Sequence, residues 1–366
     1  MLDKKVCHIT TVHSSHDVRI FHKECTSLAA EGFEVTLLVL NGNSEELNGV
    51  KIIGIKHSFK GRIDRIKNSP SVALLEALKV NADIYHFHDP ELLRIALELK
   101  KKGKKVIYDV HEDVPRQILT KYWIPPILRQ IISYTFERYE NHIAAKLDFI
   151  ITATPFIRER FAKVNKNTID INNYPKLEEF DFSNRPGFNS NAICYVGGIE
   201  KIRGIVELVN SIEGSNISLN LAGKFSDSVL EEEVKTMKGW SNVIFYGFLG
   251  RVDINKLLAD SIAGMVTLHP TINYLDSLPV KMFEYMAAGI PVIASDFPLW
   301  RKIIVENECG LLVDPLAPLE IRKAIDSLVM NRDRAKNFGI NGREAIKKKF
   351  NWSIESKKLI EVYHQI

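Results

Sequence analysis

The chain has 366 residues, and its 49 lysines and arginines against 45 aspartates and glutamates give a formal net charge of +4. This charge is too mild to indicate nucleic-acid binding, although a local basic cluster could still meet an anionic membrane. With 45% hydrophobic and 26% charged residues, the composition excludes a disordered or fibrous chain. The length suits two domains of about 170 to 180 residues each.

The cysteines and the apolar runs bear on the cellular compartment. Cys7, Cys25, Cys194 and Cys309 are scattered and form no Cys-x-x-Cys pair, which fits a reducing cytosol without disulfides or a thiolate zinc site. The N-terminus lacks the apolar core of a signal peptide, and no run of about 18 apolar residues occurs. We expect a cytoplasmic protein whose membrane contact, if any, is peripheral.

Short apolar runs alternate with helical patterns through the first half of the chain. Predicted strands cover residues 6–12, 35–40, 51–55, 84–86, 106–110 and 149–152. Predicted helices cover residues 21–31, 72–78 and the segment that begins at residues 88–91, with Asp89 as its cap and Gly103 as its stop. The loop after the first strand, residues 13–17, lacks the Gly-x-Gly-x-x-Gly fingerprint, which argues against a dinucleotide oxidoreductase.

Two histidine-containing strand ends are candidate sites in this half. His86 and His88 with Asp89 could form a metal motif, but no further histidine or acid completes the set locally, and such a pair is more often structural. His111 follows the strand at residues 106–110, and the carboxyl end of a strand is a binding position. The alternative for His111 is a hydrogen bond to its own loop.

Two basic stretches of the first half suit a membrane surface. Residues 116–146 mix bases, aliphatic residues, Tyr122 and Trp123 around a Pro-Pro pair, and aromatic residues anchor at headgroup level. An ordinary packing helix is the alternative for the later part of this segment. The second stretch is a basic loop leading into a helix, with Lys56, Lys60, Arg62, Arg65 and Lys67.

A stretch rich in proline, asparagine and aspartate, residues 172–191, separates the two halves. Beyond it, predicted strands cover residues 193–196, 218–222, 243–246, 263–268, 291–295 and 310–314. Residues 319–349 are mostly helical in pattern, and a final helix begins at Trp352. Strands alternating with helices twice over predict two doubly wound domains, residues 1–172 and 173–350, with residues 351–366 as a closing helix.

The segment from Thr271 to Asp296, TINYLDSLPVKMFEYMAAGIPVIASD, concentrates the candidate chemistry. Its pattern predicts a helix of about three turns that starts near Ser277 and ends at Gly289. Asp276 and Glu284 would then stand roughly 10 to 12 Å apart, with the N–H groups of the first turn between them as a seat for phosphate. One acid could hold each sugar ring of a nucleotide sugar. The alternative is that Asp276 only caps the helix and that Glu284 faces solvent.

Glu284, residues 285–289, Pro291 and Val292 resemble the retaining glycosyltransferases of family 4, in the two-domain GT-B superfamily. The usual family pattern is Glu, seven residues, Glu, and then an Ala-Met-Ala-x-Gly-x-Pro-Val-style run. Asp276 stands in place of the first Glu. With fewer matching residues per segment, the resemblance extends from the N-terminus to Trp352. It implies two Rossmann-like domains facing a cleft, a last helix that crosses back to the first domain, and a donor held by the second domain.

The resemblance also implies roles for particular residues. The family usually shows Gly-Arg and then Lys-Gly, whose bases hold the donor diphosphate; here Gly198 stands at the Arg position and Arg203 at the Lys position, so Lys281 or Lys201 would compensate. Ser277, Leu278, Gly247 and Phe248 complete the implied donor site, Glu284 binds the ribose, and His111 and Asp276 are the implied catalytic residues, with His111 facing the donor sugar.

The implied activity is transfer of a sugar, with retention, from a UDP-sugar to a glycan or lipid-linked acceptor in surface polysaccharide synthesis. No Asp-x-Asp occurs, so neither a metal nor a cofactor is expected, and the implied location is the inner face of the cytoplasmic membrane. A sugar-nucleotide 2-epimerase of the same superfamily and a non-catalytic nucleotide-sugar-binding subunit are the alternatives.

Overall fold

The computed structural model describes residues 4–121, 123–180 and 190–366. Tyr122 and residues 181–189, on which the predicted membrane anchor and the predicted linker partly fall, lie outside the described residues. The chain divides into two compact units, one formed by Met1–Asn173 with Ser353–Ile366 and the other by Tyr174–Trp352. Each unit is built on its own sheet.

The sheet of the first unit has eight strands in the order β3-β4-β2-β1-β5-β6-β7-β8. The strands are β1 Lys5–Thr10, β2 Glu34–Leu40, β3 Glu45–Leu47, β4 Val50–Ile55, β5 Ile84–Phe87, β6 Lys105–Val110, β7 Phe149–Thr152 and β8 Thr168–Asp170. All pairings are parallel except that of the short edge strand β3 with β4. The strand order reverses between β1 and β5, and ligands of such sheets bind outside the carboxyl ends at this switch point.

Helices connect these strands on both faces of the sheet. A π-helix, Ile20–Cys25, precedes α1 Thr26–Ala30, and the later helices are α2 Arg62–Val80, α3 Leu93–Lys101 after the 3-10 turn Pro90–Leu92, α4 Val114–Leu119, α5 Pro126–Ala144 and α6 Pro155–Ala162. On one face, alternate residues such as Cys7, Ile9 and Tyr85 join a large apolar cluster. The other face presents His8, His86 and Asp109, all buried.

The sheet of the second unit has six strands in the order β11-β10-β9-β12-β13-β14, all parallel. The strands are β9 Ala192–Val196, β10 Ser218–Ala222, β11 Val243–Gly247, β12 Ala263–Val266, β13 Val292–Ser295 and β14 Gly310–Val313. This is the Rossmann order, with its switch point between β9 and β12. Neighbouring residues of β9 enter different apolar clusters, Ile193 one and Cys194 the other, because both faces of the sheet are covered.

The helices of the second unit are α7 Ile205–Ser211, α8 Ser228–Lys235, α9 Arg251–Ala259, α10 Ile272–Leu275, α11 Val280–Ala287, α12 Pro298–Glu306, α13 Pro318–Met330 and α14 Arg332–Lys348, with 3-10 turns at Leu177–Phe180, Lys201–Arg203 and Lys238–Asn242. The last helix, α15 Trp352–Gln365, returns to the first unit, where the Tyr363 hydroxyl lies 2.7 Å from His86 Nδ1. Among the described residues, none of these helices is both long and apolar enough to cross a membrane.

The predicted strands lie within two residues of their observed ends, but the short strands β3 and β8 were not predicted and two helix starts differ. Helix α11 begins at Val280 instead of near Ser277, so it has eight residues and about two turns. The physical reason is Pro279, whose ring disfavours helical backbone at Leu278 before it. Helix α2 begins at Arg62 and not at residue 72, which makes the bases Arg62, Arg65 and Lys67 helical.

Candidate active site

Two glycines follow β9 at the switch point of the second unit. Gly197 has a φ of +129°, and a Cβ there would lie 3.7 Å from Lys281 Nζ. A Cβ at Gly198 would lie 3.5 Å from Arg203 Nη1. The guanidinium therefore reaches the space beside Gly198, where the family carries its first base. The structure brings together Gly198, Arg203 and Lys281, which the sequence had placed in one donor site.

Arg203 is held by the turn that it ends. Its Nε lies 3.3 Å from Glu200 Oε1. Burial alone would lower the pKa of Arg203, but Tyr274, Tyr195 and Glu200 around it raise the pKa above its usual value. The following residue, Gly204, has a φ of +77°, and a Cβ there would lie 1.9 Å from the Thr267 carbonyl oxygen. A larger residue at position 204 would push Arg203 out of place.

Lys281 is a buried amine in the first turn of α11. Its Nζ lies 3.6 Å from the ring centre of Tyr195 and has no hydrogen-bond partner among the described residues. Burial, and then the charge of Arg203, hold the pKa of Lys281 well below its usual value. Lys201, the other predicted substitute for the missing base, is mostly exposed and pairs with Glu233 at 3.2 Å. Lys281 is thus the lysine that faces the glycine pair.

Glu284 is an ion-paired carboxylate near the end of α11. Arg251 Nη1 donates to Glu284 Oε1 at 2.7 Å, and Arg251 Nη2 lies 3.1 Å from Glu179 Oε2. The guanidinium also packs over the ring of Phe180, 5.2 Å from its centre. The sequence analysis missed Arg251, because nothing in a single sequence links it to a glutamate 33 positions later.

Asp276, Ser277 and Leu278 lie in the turn between α10 and α11. Asp276 ends α10 and does not precede the first turn of α11 directly, so the spacing of 10 to 12 Å that assumed one continuous helix does not apply. Trp300 Nε1 donates to the Ser277 carbonyl at 2.8 Å, and the Ser277 hydroxyl donates to the Tyr274 carbonyl at 3.0 Å. These bonds fix the turn independently of a ligand.

Gly247 ends β11 and Phe248 follows it, near the same edge of the second sheet. Gly247 has a φ of +64°, and its carbonyl accepts from the Gly223 N–H at 2.8 Å. A Cβ at Gly223 would lie 1.8 Å from the Gly197 carbonyl oxygen, so the three glycine turns are packed side by side. Phe248 is 88% exposed, which leaves its ring face open.

In the first unit, His111 is partly buried beside a network of charges. Its Nε2 lies 2.9 Å from Asp109 Oδ2, and Arg19 donates to the same carboxylate from Nε at 3.0 Å and from Nη2 at 2.8 Å. Burial alone would raise the pKa of Asp109, but Arg19 and then His111 bring it well below its usual value. Asp109 is thus ionised and accepts from the His111 Nε2–H, which in the neutral imidazole makes Nδ1 the acceptor.

Three more histidines lie behind His111, and the sequence analysis had connected only two of them, His86 and His88. His88 Nδ1 lies 3.2 Å from Asp109 Oδ2, and burial lowers the pKa of His88 to about 4. Burial also lowers the pKa of His8 and of His86 well below the usual value. The sequence near His86 and His88 contains no further histidine or acid that would complete a metal site, as predicted. In the fold, however, His8 and Asp109 approach this pair from other strands.

Asp89 does not cap the helix that follows it. Its carboxylate accepts instead from the Thr10 hydroxyl at 2.9 Å and from the Thr11 N–H at 2.6 Å, which closes the carboxyl end of β1. The predicted cap is therefore wrong, because the adjacent strand offers closer donors. His13, in the same loop, lies 3.5 Å from Asp89 and 3.4 Å from Asp17, and although burial opposes it, these acids raise the pKa of His13.

A cavity of about 880 Å³ opens beside His111 within the first unit. Its wall combines apolar side chains of α5 with bases from α2 and from the loop before α5, and it also includes the acids Asp89, Glu91 and Glu112. The lining includes His13, His111, Arg62, Arg65, Lys121, Ile132 and Phe136. Arg65 is already paired with Glu91 at 2.6 Å, whereas Lys121 packs over Trp123 at 5.3 Å from the ring centre. An amphipathic molecule with an anionic group would fit such a lining.

Two family models match this chain in succession. Residues 18–171 match the model described as Glycosyltransferase Family 4, and residues 177–345 match the model described as Glycosyl transferases group 1. The chain belongs to the group 1 glycosyltransferases of family 4. Each match falls within one of the two structural units, so this glycosyltransferase carries both halves of the GT-B architecture.

Two curated relatives are similar over most of the glycosyltransferase. One is the uncharacterized glycosyltransferase MJ1069 of Methanocaldococcus jannaschii, 22% identical, with 74% of this chain and 71% of that protein covered. The other is the D-rhamnosyltransferase WbpZ of Pseudomonas aeruginosa, 23% identical, with 75% of this chain and 71% of that protein covered.

Two solved structures share the fold of the glycosyltransferase. The sucrose-phosphate synthase of Thermosynechococcus elongatus has a TM-score of 0.81 at 19% identity and covers 99% of this chain and 98% of its own. HepE of Anabaena, in complex with UDP and glucose, has a TM-score of 0.74 at 14% identity. The match covers 99% of this chain and 100% of the HepE chain. These likenesses confirm the predicted fold class of two Rossmann-like domains of the GT-B type.

Proposed function

We propose that this glycosyltransferase moves a sugar from a nucleoside diphosphate sugar, first among them a UDP-sugar, to a lipid-linked or glycan acceptor with retention. The observation that carries this proposal is the pair of basic side chains, Arg203 and Lys281, beside Gly197–Gly198. Within the described part of the chain the buried Lys281 amine has no hydrogen-bond partner, and a diphosphate would supply one. HepE, which shares the fold, was solved with UDP-glucose.

The main requirement of the reaction is stabilisation of the negative charge on the leaving group. As the bond between the anomeric carbon and the diphosphate oxygen breaks, negative charge grows on that oxygen, and Arg203 and Lys281 stabilise it without a metal. The acceptor hydroxyl forms the new bond to the anomeric carbon on the same face. Its proton passes to the departing diphosphate oxygen, so the atoms and charges balance and the configuration is retained.

His111 and Asp276 are the proposed contacts to the donor sugar. The Nδ1 atom of His111 is free to accept from a sugar hydroxyl, because its Nε2–H is committed to Asp109. Asp276 keeps the negative charge of the family glutamate with one methylene less. Ser277 and Leu278 present backbone to the diphosphate, while Gly247 and Phe248 lie on the nucleobase side.

The cavity of the first unit is the proposed acceptor site. Its bases Arg62 and Lys121 suit a phosphate or diphosphate, and its apolar wall, with Ile132 and Phe136, suits a lipid chain. Exposed apolar residues continue along the neighbouring face of α5, at Ile127, Leu128, Ile131 and Tyr134. We propose that this face rests on an anionic membrane surface and receives the acceptor from it.

The proposal is tested by incubating the purified protein with a panel of UDP-sugars and GDP-sugars, with and without polyprenyl-phosphate-linked sugar acceptors. Transfer product that appears only when the acceptor is present, with the anomeric configuration of the donor by NMR, is the expected result. An epimerised donor without acceptor would identify a 2-epimerase, and binding without turnover would identify a non-catalytic subunit. Either result would overturn the proposed transfer.

A further inference from the structure

A cluster of four buried side chains lies behind the proposed contacts of the first unit, and of the four only His88 lines the cavity and contacts His111. His8 on β1 lies beside His86 on β5 in the register of the sheet, and His88 follows on the same face. Glu24 reaches them from the π-helix Ile20–Cys25. Each of the four offers one nitrogen or oxygen, and these atoms all lie within 4.8 Å of one another. We call these residues the buried histidine cluster.

Each imidazole of the cluster has one nitrogen engaged on its outer side. His88 Nδ1 lies 3.2 Å from Asp109 Oδ2, His86 Nδ1 lies 2.7 Å from the Tyr363 hydroxyl, and His8 Nε2 lies 3.1 Å from the same hydroxyl. The second nitrogen of each ring is left for the interior of the cluster. These three atoms are His8 Nδ1, His86 Nε2 and His88 Nε2. Metal-bound histidines almost always use their other nitrogen in this way, to fix the tautomer and the ring.

The interior of the cluster has unmet bonding capacity. Both carboxylate oxygens of Glu24 and the Nε2 atom of His86 are buried. None of these three atoms has a hydrogen-bond partner among the described residues. Arg19 Nε lies 3.0 Å from Glu24 Oε1, but its hydrogen is directed to Asp109. Buried polar atoms are normally satisfied, so a missing ligand explains these exceptions best.

The distances inside the cluster fit a small cation. His8 Nδ1 and His88 Nε2 are 3.0 Å apart, and His86 Nε2 and Glu24 Oε2 are 4.0 Å apart. A tetrahedral ion with bonds of about 2.0 to 2.2 Å places its ligand atoms roughly 3.3 to 3.6 Å apart, between these two values. The pair at 3.0 Å also suits a hydrogen bond, and a protonated Glu24 could bond to Asp109, but neither bond would give His86 Nε2 a partner.

The charges around the cluster also accommodate a cation. Glu24 and Asp109 are two carboxylates close to a single base, Arg19, in a site with almost no access to water. With neutral imidazoles, the ionised forms of these three residues leave one negative charge. A divalent ion would therefore bind at a site whose net charge is negative. Its positive charge would also favour the ionised form of Glu24.

We propose that His8, His86, His88 and Glu24 bind one divalent transition-metal ion, for which zinc is the simplest candidate. Three imidazoles and one carboxylate are a donor set that suits zinc and other first-row ions. All four positions of a tetrahedron are filled by protein, so the ion is structural and ties β1, β5 and the π-helix together. Asp109 contacts both His88 and His111, so the ion also braces the support of His111.

The site is tested on the full-length protein, without reference to its activity. The protein is stripped with a chelator during mild unfolding, refolded, and titrated with Co²⁺ and with Zn²⁺. We expect one equivalent of Co²⁺ with the visible absorption of a tetrahedral complex, its displacement by Zn²⁺, and a higher melting temperature with either ion. Elemental analysis of freshly purified protein should find about one metal per chain.

Variants locate the ion within the molecule. His86→Gln and Glu24→Gln should each lower the bound Co²⁺ at least tenfold and remove the metal-dependent rise in melting temperature. The matched control is His57→Gln, a histidine on the surface of the same unit, which should keep one equivalent. If wild-type protein binds no stoichiometric ion, or if both cluster variants keep it, the cluster holds only hydrogen bonds and water, and the proposal is wrong. The wild-type titration decides even if a variant fails to fold.

Discussion

Arg251 donates a hydrogen bond to Glu284 at 2.7 Å while its other terminal nitrogen lies 3.1 Å from Glu179. The guanidinium thus orients Glu284 through one oxygen, Oε1, and leaves the second oxygen of the carboxylate for a ligand. A ribose with two adjacent hydroxyls would then bind a carboxylate that is already fixed in place, which lowers the entropic cost of binding.

Replacement of Glu284 tests this arrangement. Glu284→Ala should weaken nucleotide binding by about 1.5 to 3 kcal/mol, or roughly ten- to 150-fold, because the ribose loses a charged acceptor and Arg251 loses its partner. Glu284→Gln should lose less, since one acceptor oxygen remains. Titration calorimetry with UDP measures both. Glu231→Ala, at a partly exposed glutamate on α8 of the same unit, is the control, and normal UDP affinity in folded Glu284→Ala protein would rule out the ribose contact.

Arg203 is expected to act on phosphate and not on the nucleoside. Arg203→Ala should weaken binding of UDP about tenfold or more and leave binding of uridine nearly unchanged, because the guanidinium lies beside Gly198. Calorimetry of both ligands provides the comparison. Arg334→Ala, an exposed arginine on α14, should change neither affinity. Equal losses for UDP and uridine would mean that Arg203 supports the fold of the site instead.

The lowered pKa of Lys281 predicts proton uptake when the donor binds. The buried amine is neutral in the free protein above its lowered pKa, and a diphosphate favours the ammonium form. UDP binding should therefore take up protons between the pKa of free Lys281 and its higher pKa in the complex, and UDP affinity should fall as the pH rises through this window. Calorimetry in buffers of different ionisation enthalpy measures the uptake, which Lys281→Met should abolish.

The same lysine should reduce the stability of the free protein. Its pKa is lower in the folded than in the unfolded state, so the unfolded state binds more protons between the two values, and stability rises with pH there. Lys281→Met should accordingly raise the melting temperature at neutral pH, by an increment that shrinks toward the usual lysine pKa of 10.5. Lys201→Met, an exposed lysine, is the control. If Lys281→Met melts lower at neutral pH, the amine is not neutral in the fold.

Gly264 on β12 is a position where any side chain should be destabilising. A Cβ there would lie 2.1 Å from the ring of Tyr285, whose hydroxyl accepts from the Val196 N–H just before the glycine pair. Gly264→Ala should lower the stability by about 1 to 3 kcal/mol and weaken UDP binding as Tyr285 moves. Thermal unfolding measures the first effect. Gly250→Ala, whose Cβ meets nothing within 4 Å, should be tolerated, and equal melting of the two variants would contradict the proposed clash.

The exposed face of α5 predicts salt-dependent membrane binding. Bases near an anionic surface contribute about 1 kcal/mol each, and the attraction decays over roughly 10 Å at 0.1 M salt. Sedimentation with anionic vesicles should fall as salt rises, and fall again in Trp123→Ala and in Ile131→Asp, while neutral vesicles bind poorly. Leu319→Asp makes the same change on an exposed residue of the second unit and should have no effect. Failure to bind anionic vesicles at low salt would indicate a soluble acceptor.

The sequence predicted the parts of the fold that depend on local pattern. Parallel strands buried on both faces are short apolar runs, so β1, β6, β10 and β13 could be found from their residues alone. The glycine pair after β9 could be placed for the same reason, since a strand end and a turn are neighbours in the chain.

Relations between distant residues could not be predicted in this way. Alternation along β5 shows that His86 and His88 share a face, but the identity of their neighbours depends on strand order, which brings His8 from β1 and Tyr363 from the last helix. The pairing of Arg251 with Glu284 depends likewise on packing. The start of α11 differs from the predicted start near Ser277 because Pro279 keeps the residue before it out of helical backbone.

The membership of α15 in the first unit has a consequence for biosynthesis. Tyr363 enters the buried polar face of the first sheet, yet the ribosome makes it only after every residue of the second unit. The first unit therefore cannot complete its core until α15 has been synthesised, whereas the second, Tyr174–Trp352, is continuous and can fold before it. We expect nascent chains halted before residue 352 to hold a protease-sensitive first half.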